Sequence, residues 1–224
     1  MLSVDCLFDL EHTLASRALA DLAFPWDAIP LIGSIVIDIG LGLPADEYEN
    51  RPGDVWVHRS ADVDATACLK GPCVIGPRTQ VRHCAFVRGG VLVGADCVVG
   101  NSVELKNCIL FDGCQVPHLS YVGDSILGHC AHFGAGVVAS NVRADGMPVV
   151  VHGGPSYGDL PTGLGKLGAI VGDYAEVGCN SVLNPGAVLG RRSVVYPLSC
   201  VRGVVGENCI FKNDGVVVAK RGDS

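Results

Sequence analysis

The apolar positions of the chain follow two different rhythms. Over residues 1–50, Leu7, Leu10, Leu14 and Ala18 recur at helical spacing, with Glu11 and Arg17 on the other side, which predicts an amphipathic helix. Pro25 and Pro30 are expected to end that pattern. The run Ile35-Val36-Ile37-Asp38-Ile39 is compatible with either a helix or a strand. From residue 57 the rhythm changes. Val57, Val63, Leu69, Ile75, Val81, Val87, Val93, Val99 and Leu105 stand six apart, and Val171, Val177, Leu183, Leu189, Val195 and Val201 do the same. Four residues after each sits a small or β-branched residue, as in Ala61, Cys73, Thr79, Ala85, Ala175 and Ser181. Gly or Asn often follows the aliphatic residue directly, as in Gly76, Gly94, Gly100, Gly172 and Asn184.

A period of six is neither the helical repeat of about 3.6 nor a simple two-faced strand. It predicts an all-β fold, a parallel β-helix of hexapeptide repeats with three sides to each triangular coil. At about 18 residues per coil the repeat makes roughly seven coils. The aliphatic residue should point into the prism. The small residue should fit where the chain turns, and Gly or Asn should supply the backbone freedom a corner needs. The phase breaks twice, over 109–127 and over 141–168. The second break is rich in Gly and Pro and is expected to be a loop ejected from the prism towards a neighbouring subunit. The division implied is a small, mostly helical N-terminal cap over 1–50 and a β-helix domain over 51–224.

Composition narrows the function. With 49% apolar and 17% charged residues, the 224-residue chain is not a disordered tail. A net charge of −7 argues against nucleic acid as a partner. The apolar stretch 29–43 carries Asp38 and is too short to cross a bilayer, so no membrane role is expected. The N-terminus has no basic run before its apolar residues, unlike a secretory signal. Eleven cysteines without a CxxC pair predict small buried thiols in a reducing cytoplasm, not a disulfide framework or a metal knuckle. The final Arg221-Gly-Asp-Ser224 reads as coincidence.

The hexapeptide pattern resembles the acyltransferases of the left-handed β-helix class, which implies a left-handed prism and a homotrimer with active sites between neighbours. A closer resemblance rests on Asn101-Ser-Val-Glu-Leu-Lys106, His118-Leu-Ser-Tyr121-Val-Gly-Asp124, and Phe133-Gly-Ala-Gly136 followed by Asn141. These strings are similar to the acetyltransferase domain of the bifunctional bacterial enzyme that makes UDP-N-acetylglucosamine. The resemblance covers about residues 80–205. The uridyltransferase half of that enzyme has no counterpart here, and 50 N-terminal residues leave no room for a nucleotide-binding domain.

The resemblance implies CoA-dependent N-acetylation of an amino sugar phosphate such as glucosamine 1-phosphate. It places the general base on His118, substrate contacts on Arg88, Lys106, Tyr121, His132 and Asn141, and acetyl-CoA contacts on Ala135 and Cys179. No metal is implied. The chemistry is coherent: a base near neutral pH suits deprotonation of an amine, and glycine-flanked backbone around Ala135 suits an oxyanion donor. Arg88 and Lys106 are 18 apart and should stack on adjacent coils, where two cations could grip one phosphate. The family usually has Asn at the position of His132, and the loop after Asn141 differs, with Arg143 in place of a lysine. An alternative is a non-catalytic sugar-phosphate or nucleotide-sugar module that assembles with a separate nucleotidyltransferase. Lys166, Arg191, Arg192, Lys212 and Lys220 read as solvated cations, and His152 in the ejected loop has no assigned role.

Overall fold

The computed structural model describes residues 2–221; residues 222–224, which hold most of the C-terminal tetrapeptide, lie outside it. The period of six becomes a three-sided prism of stacked parallel strands. On one face Val55, Cys73 and Val91 are in register, 18 residues apart. On the second, Val63, Val81 and Val99 stack. On the third, Leu69, Val87 and Leu105 do so. The aliphatic positions and the small ones, including Cys73, Ala85, Cys97 and Ala175, fill one continuous interior. Among the described residues each face carries seven or eight parallel strands, in agreement with the expected number of coils. Both ends close with an antiparallel strand, Tyr48–Arg51 on Val55–His58 and Val217–Ala219 on Cys209–Phe211, which pairs an edge that would otherwise be open.

The glycines after the aliphatic position serve space, not corner conformation. Gly76 has no left-handed backbone, but a Cβ there would stand 2.5 Å from the Gly94 carbonyl of the next coil. The left-handed corner comes two residues later and is held by Arg78, Cys84, Asp96 and Tyr174, with φ between 56° and 58°. Repeated pairing with the coils above and below holds non-glycine residues in a conformation that costs each about 1 kcal/mol or more. Gly76→Ala is therefore expected to destabilise the chain by about 1–3 kcal/mol through overpacking. Chemical denaturation measures this, and an unchanged midpoint would refute the close-approach account.

The N-terminal region differs from the helix its spacing predicts. It is a string of short helices, Val4–Leu7, Leu10–His12, Ser16–Leu19 and Pro25–Leu31, followed by the longer helix Ile32–Leu41. Leu14 and Ala18 are exposed, whereas Ala15 and Leu19 are buried, because the helical phase restarts at each break. Pro25 opens a helix and Pro30 lies inside one, so neither ends the helical segment. This region does not sit on the end of the prism; it lies along one face. There the outward residues Trp56, Val74, Leu92, Ile109, Ile126, Ile170, Val188 and Val204 form one in-register apolar row. Leu7, Phe8, Leu19, Ile29, Ile32 and Val36 pack on that row as a second core.

The insertion 141–168 leaves the prism as expected, but folds back on its own chain. It forms an antiparallel hairpin, Val150–His152 with Asp159–Pro161, around a short helix, and buries Val149, Val151 and Leu167 in the same second core. The cysteines also depart from expectation. Cys73, Cys97, Cys108 and Cys114 are buried, but Cys68, Cys84, Cys179 and Cys200 are exposed and the remaining three are intermediate. Burial pushes the Cys73 and Cys97 thiols up to about 12.

Candidate active site

The broken phase over 109–127 is a pair of shortened corners. Leu105 pairs with Val87, 18 residues back, but Cys108 pairs with Val91, 17 back. The next coil repeats this, with Val122 opposite Ala139 and Leu105. One corner residue is missing each time, so Glu104–Leu110 and Tyr121–Leu127 run as seven-residue strands from the third face into the covered one. Asn107 and Asp124 sit at these tight corners, both with φ 49°.

The corner gathers four polar side chains around one carboxylate. Asp124 has a side chain only 4% exposed and accepts Lys106 Nζ on both oxygens, at 2.9 and 3.0 Å. It also accepts from Asn107 Nδ2 at 2.8 Å and from Asn141 Nδ2. Asn141 donates as well to the Tyr121 hydroxyl at 3.2 Å. Burial, reinforced by the Asp124 charge, raises the Tyr121 phenol above its usual value, so it stays protonated at neutral pH. The tyrosine reaches this corner by lying over Gly123, where a Cβ would stand 2.3 Å from the hydroxyl oxygen. Asn107 Nδ2 also donates to the Ile29 carbonyl at 3.1 Å, tying the N-terminal region to the same point. Backbone bonds from Leu167 to Asn141 and from Gly168 to Asp124 pin the base of the insertion there.

Arg88 lies one coil above Lys106, its amide bonded to the Leu105 carbonyl at 2.8 Å, so the expected stacking of the two cations is met. Both already have carboxylate partners. Arg88 pairs with Glu104 at 2.7 Å in an exposed bridge, which raises the guanidinium above its ordinary value through the Glu104 hydrogen bond. Lys106 is held by Asp124.

His118 stands at the opposite edge of the third face, exposed, at the end of the strand Gln115–His118. Its ring makes no hydrogen bond among the described residues. Its carbonyl accepts from Gly136 N at 3.2 Å and from Ser120 Oγ at 2.9 Å. Asn180 N bonds to the Ala135 carbonyl, so His118, Ala135 and Cys179 follow one another down this corner. The amides of Gly134 and Gly136 are taken by the coil ladder, while that of Ala135 makes no hydrogen bond among the described residues. The predicted residues thus fall into two columns on the two edges of one face. His118, Ala135 and Cys179 form one; Arg88, Lys106 and the Asp124 network with Tyr121 and Asn141 form the other. His132 joins neither: it lies on the second face, between Gln115 and Glu176. Asp124, Asn107 and Glu104 were missed as candidates. The spacing does not give Asp124, because the coil there is one residue short and sets Lys106 opposite Gly123.

A three-sided prism of six-residue steps with polar columns at its corners defines a hexapeptide-repeat protein of the left-handed β-helix class. A family model described as the GMPPB C-terminal domain matches residues 69–194, more than half of the chain, and the chain belongs to that family. The chain is 31% identical over 205 residues to the bifunctional protein GlmU of Methanococcus maripaludis, covering 90% of this chain and 49% of that protein. It is 30% identical over 196 residues to a bifunctional sugar-1-phosphate nucleotidylyltransferase/acetyltransferase of Sulfurisphaera tokodaii, covering 86% and 48%. The chain therefore spans about half the length of the curated relatives it matches. Among solved structures, a putative acetyltransferase of Bacillus cereus is 15% identical with a TM-score of 0.41, covering 75% of this chain and 79% of that one. No helix among the described residues is long and apolar enough to cross a membrane.

Proposed function

We propose that this chain is a cytoplasmic, homotrimeric acyltransferase that moves an acetyl group from acetyl-CoA to the amine of a sugar phosphate of the glucosamine 1-phosphate type. The observation that carries the reading is the pair of columns flanking one exposed face: an unpartnered imidazole on one edge, and stacked cations with a tyrosine and an asparagine on the other. In this reading His118 takes a proton from the substrate amine as its nitrogen attacks the thioester carbonyl. The Ala135 amide receives the developing oxyanion. The intermediate then collapses, the carbon–sulfur bond breaks, and the CoA thiolate leaves and is protonated. His132 keeps its assignment as a substrate contact only if a neighbouring subunit brings the second face to the substrate. The acetyltransferase activity named for the Sulfurisphaera tokodaii relative supports the reaction class. The test is an assay of free thiol release from acetyl-CoA across a panel of amino sugar phosphates. No turnover with any acceptor would refute the reading.

Within it, Arg88 exchanges Glu104 for the substrate phosphate. An exposed ion pair of this kind is worth little and is readily exchanged for a stronger oxyanion. Arg88→Ala is expected to raise KM for the sugar phosphate about tenfold or more, with little change in kcat. A fall in kcat at unchanged KM would remove Arg88 from phosphate binding.

A second reading, a binding module that partners a separate nucleotidyltransferase, draws on the carboxylates already seated on both cations. Thermal shift separates the two. Acetyl-CoA at a hundredfold excess over its Kd stabilises an acyltransferase by roughly 2.7 kcal/mol. Stabilisation by sugar nucleotides without any by acetyl-CoA favours the module.

A further inference from the structure

We propose that a second ligand site lies on the covered face, in the cleft between the N-terminal region and the insertion, and that it takes a small metabolite carrying a diphosphate. The cleft encloses about 780 Å³, a volume suited to a metabolite. Leu7, Val188 and Val204 give it an apolar floor, and its charged and polar lining holds Arg191, Arg202 and His152 together with the carboxylates Asp159 and Glu207. It lies on a different face from His118 and from the column of Arg88 and Lys106.

Three details point to an anion. Arg191 was expected to be solvated, but its Nε is buried and makes no hydrogen bond. It is ion-paired with the buried Asp173, whose Oδ2 lies 3.4 Å away and already accepts from Asp9 N at 2.7 Å, so the guanidinium is partnered by charge while its Nε–H stays without a hydrogen bond. Arg202 has no carboxylate partner among the described residues, and its one polar side-chain contact there is His152 Nε2, at 2.9 Å. The other ring nitrogen, Nδ1, stands 2.8 Å from Asp159 Oδ1 across the hairpin, so the imidazole bridges Arg202 and a carboxylate. A guanidinium whose one side-chain partner is an imidazole forgoes the stronger bond it would make to an oxyanion.

A diphosphate oxygen arriving in the cleft replaces the imidazole as acceptor for Arg202. Arg191 faces the same cleft from the coil floor. Glu207 on the rim can accept from hydroxyls of a sugar that the diphosphate carries.

Calorimetric titration of the full chain with uridine diphosphate, uridine and coenzyme A tests this. The expected results are one site for a diphosphate-bearing ligand, with uridine binding at least about tenfold more weakly. Arg202→Ala, on an exposed side chain, should weaken binding about tenfold or more, and Arg88→Ala should leave it unchanged. Arg202-dependent binding of coenzyme A but not of uridine diphosphate would assign the site to the cofactor's own diphosphate. The proposal is overturned if neither diphosphate ligand binds up to about 1 mM. It is equally overturned if affinity survives Arg202→Ala, or if Arg88→Ala abolishes binding. Each of these results leaves the acetyl-transfer assay as a separate test.

Discussion

Replacing His118 by alanine is expected to lower kcat for acetyl transfer by about 10²–10⁴-fold while the melting temperature stays where it was. The two halves of that expectation have separate causes. The ring is exposed and makes no hydrogen bond among the described residues, so no folded-state contact is lost with it. What holds residue 118 in the solenoid is its backbone: the carbonyl that accepts from Gly136 N and Ser120 Oγ survives the substitution. Catalysis is different, because an amine that is mostly protonated near neutral pH becomes a nucleophile only when a base removes its proton. Thiol release at saturating acetyl-CoA, read beside a thermal melt, measures both. Near-normal turnover would remove the mechanism, whatever the fold.

The second large effect is one of stability. Lys106→Met leaves the Asp124 carboxylate buried with amide donors but no cation. Removing one member of a buried ion pair typically costs 3–5 kcal/mol, about half an ordinary domain's stability. Because the Lys106 side chain is 27% exposed, solvent relieves part of this, and about 2–4 kcal/mol is expected. For a chain of this size that is a fall of roughly 5–15 °C in Tm. The double variant Lys106→Met with Asp124→Leu should recover much of the loss, since the stranded charge is gone. If Lys106→Met melts like the parent, Asp124 is not the hub of the corner. The pairing also bears on function. In the proposed reaction, a lysine held by two carboxylate contacts would present its charge to substrate from a fixed place, whereas Arg88, in its exposed bridge, would be free to move.

The prism was legible because a hexapeptide repeat writes its geometry locally: one aliphatic position in six is enough to count sides and coils. The stacking of Arg88 on Lys106 followed from the same arithmetic. It does not reach Asp124, the residue that organises the corner, because the coil there is one residue short and sets Lys106 opposite Gly123. The outward row from Trp56 to Val204 was also present in the chain, as an apolar residue just before the inward aliphatic one. A count of inward positions passes over it. The helical spacing of Leu7, Leu10, Leu14 and Ala18 misled for a physical reason: short helices that restart their phase bury whatever the facing surface admits, here Ala15 and Leu19.

Local periodicity, then, was sufficient for the coil, its inward residues and the two places where the phase fails, because each depends on neighbours six or 18 positions away. Which face is covered, where the insertion comes to rest and how the corner charges pair depend on groups far apart in the chain. Asn107 meets the Ile29 carbonyl across 78 residues, and Asp9 N meets Asp173 across 164. No spacing rule carries such pairings; they form only once the prism presents its surface and the rest of the chain finds the arrangement that buries the apolar row and satisfies the polar groups beside it.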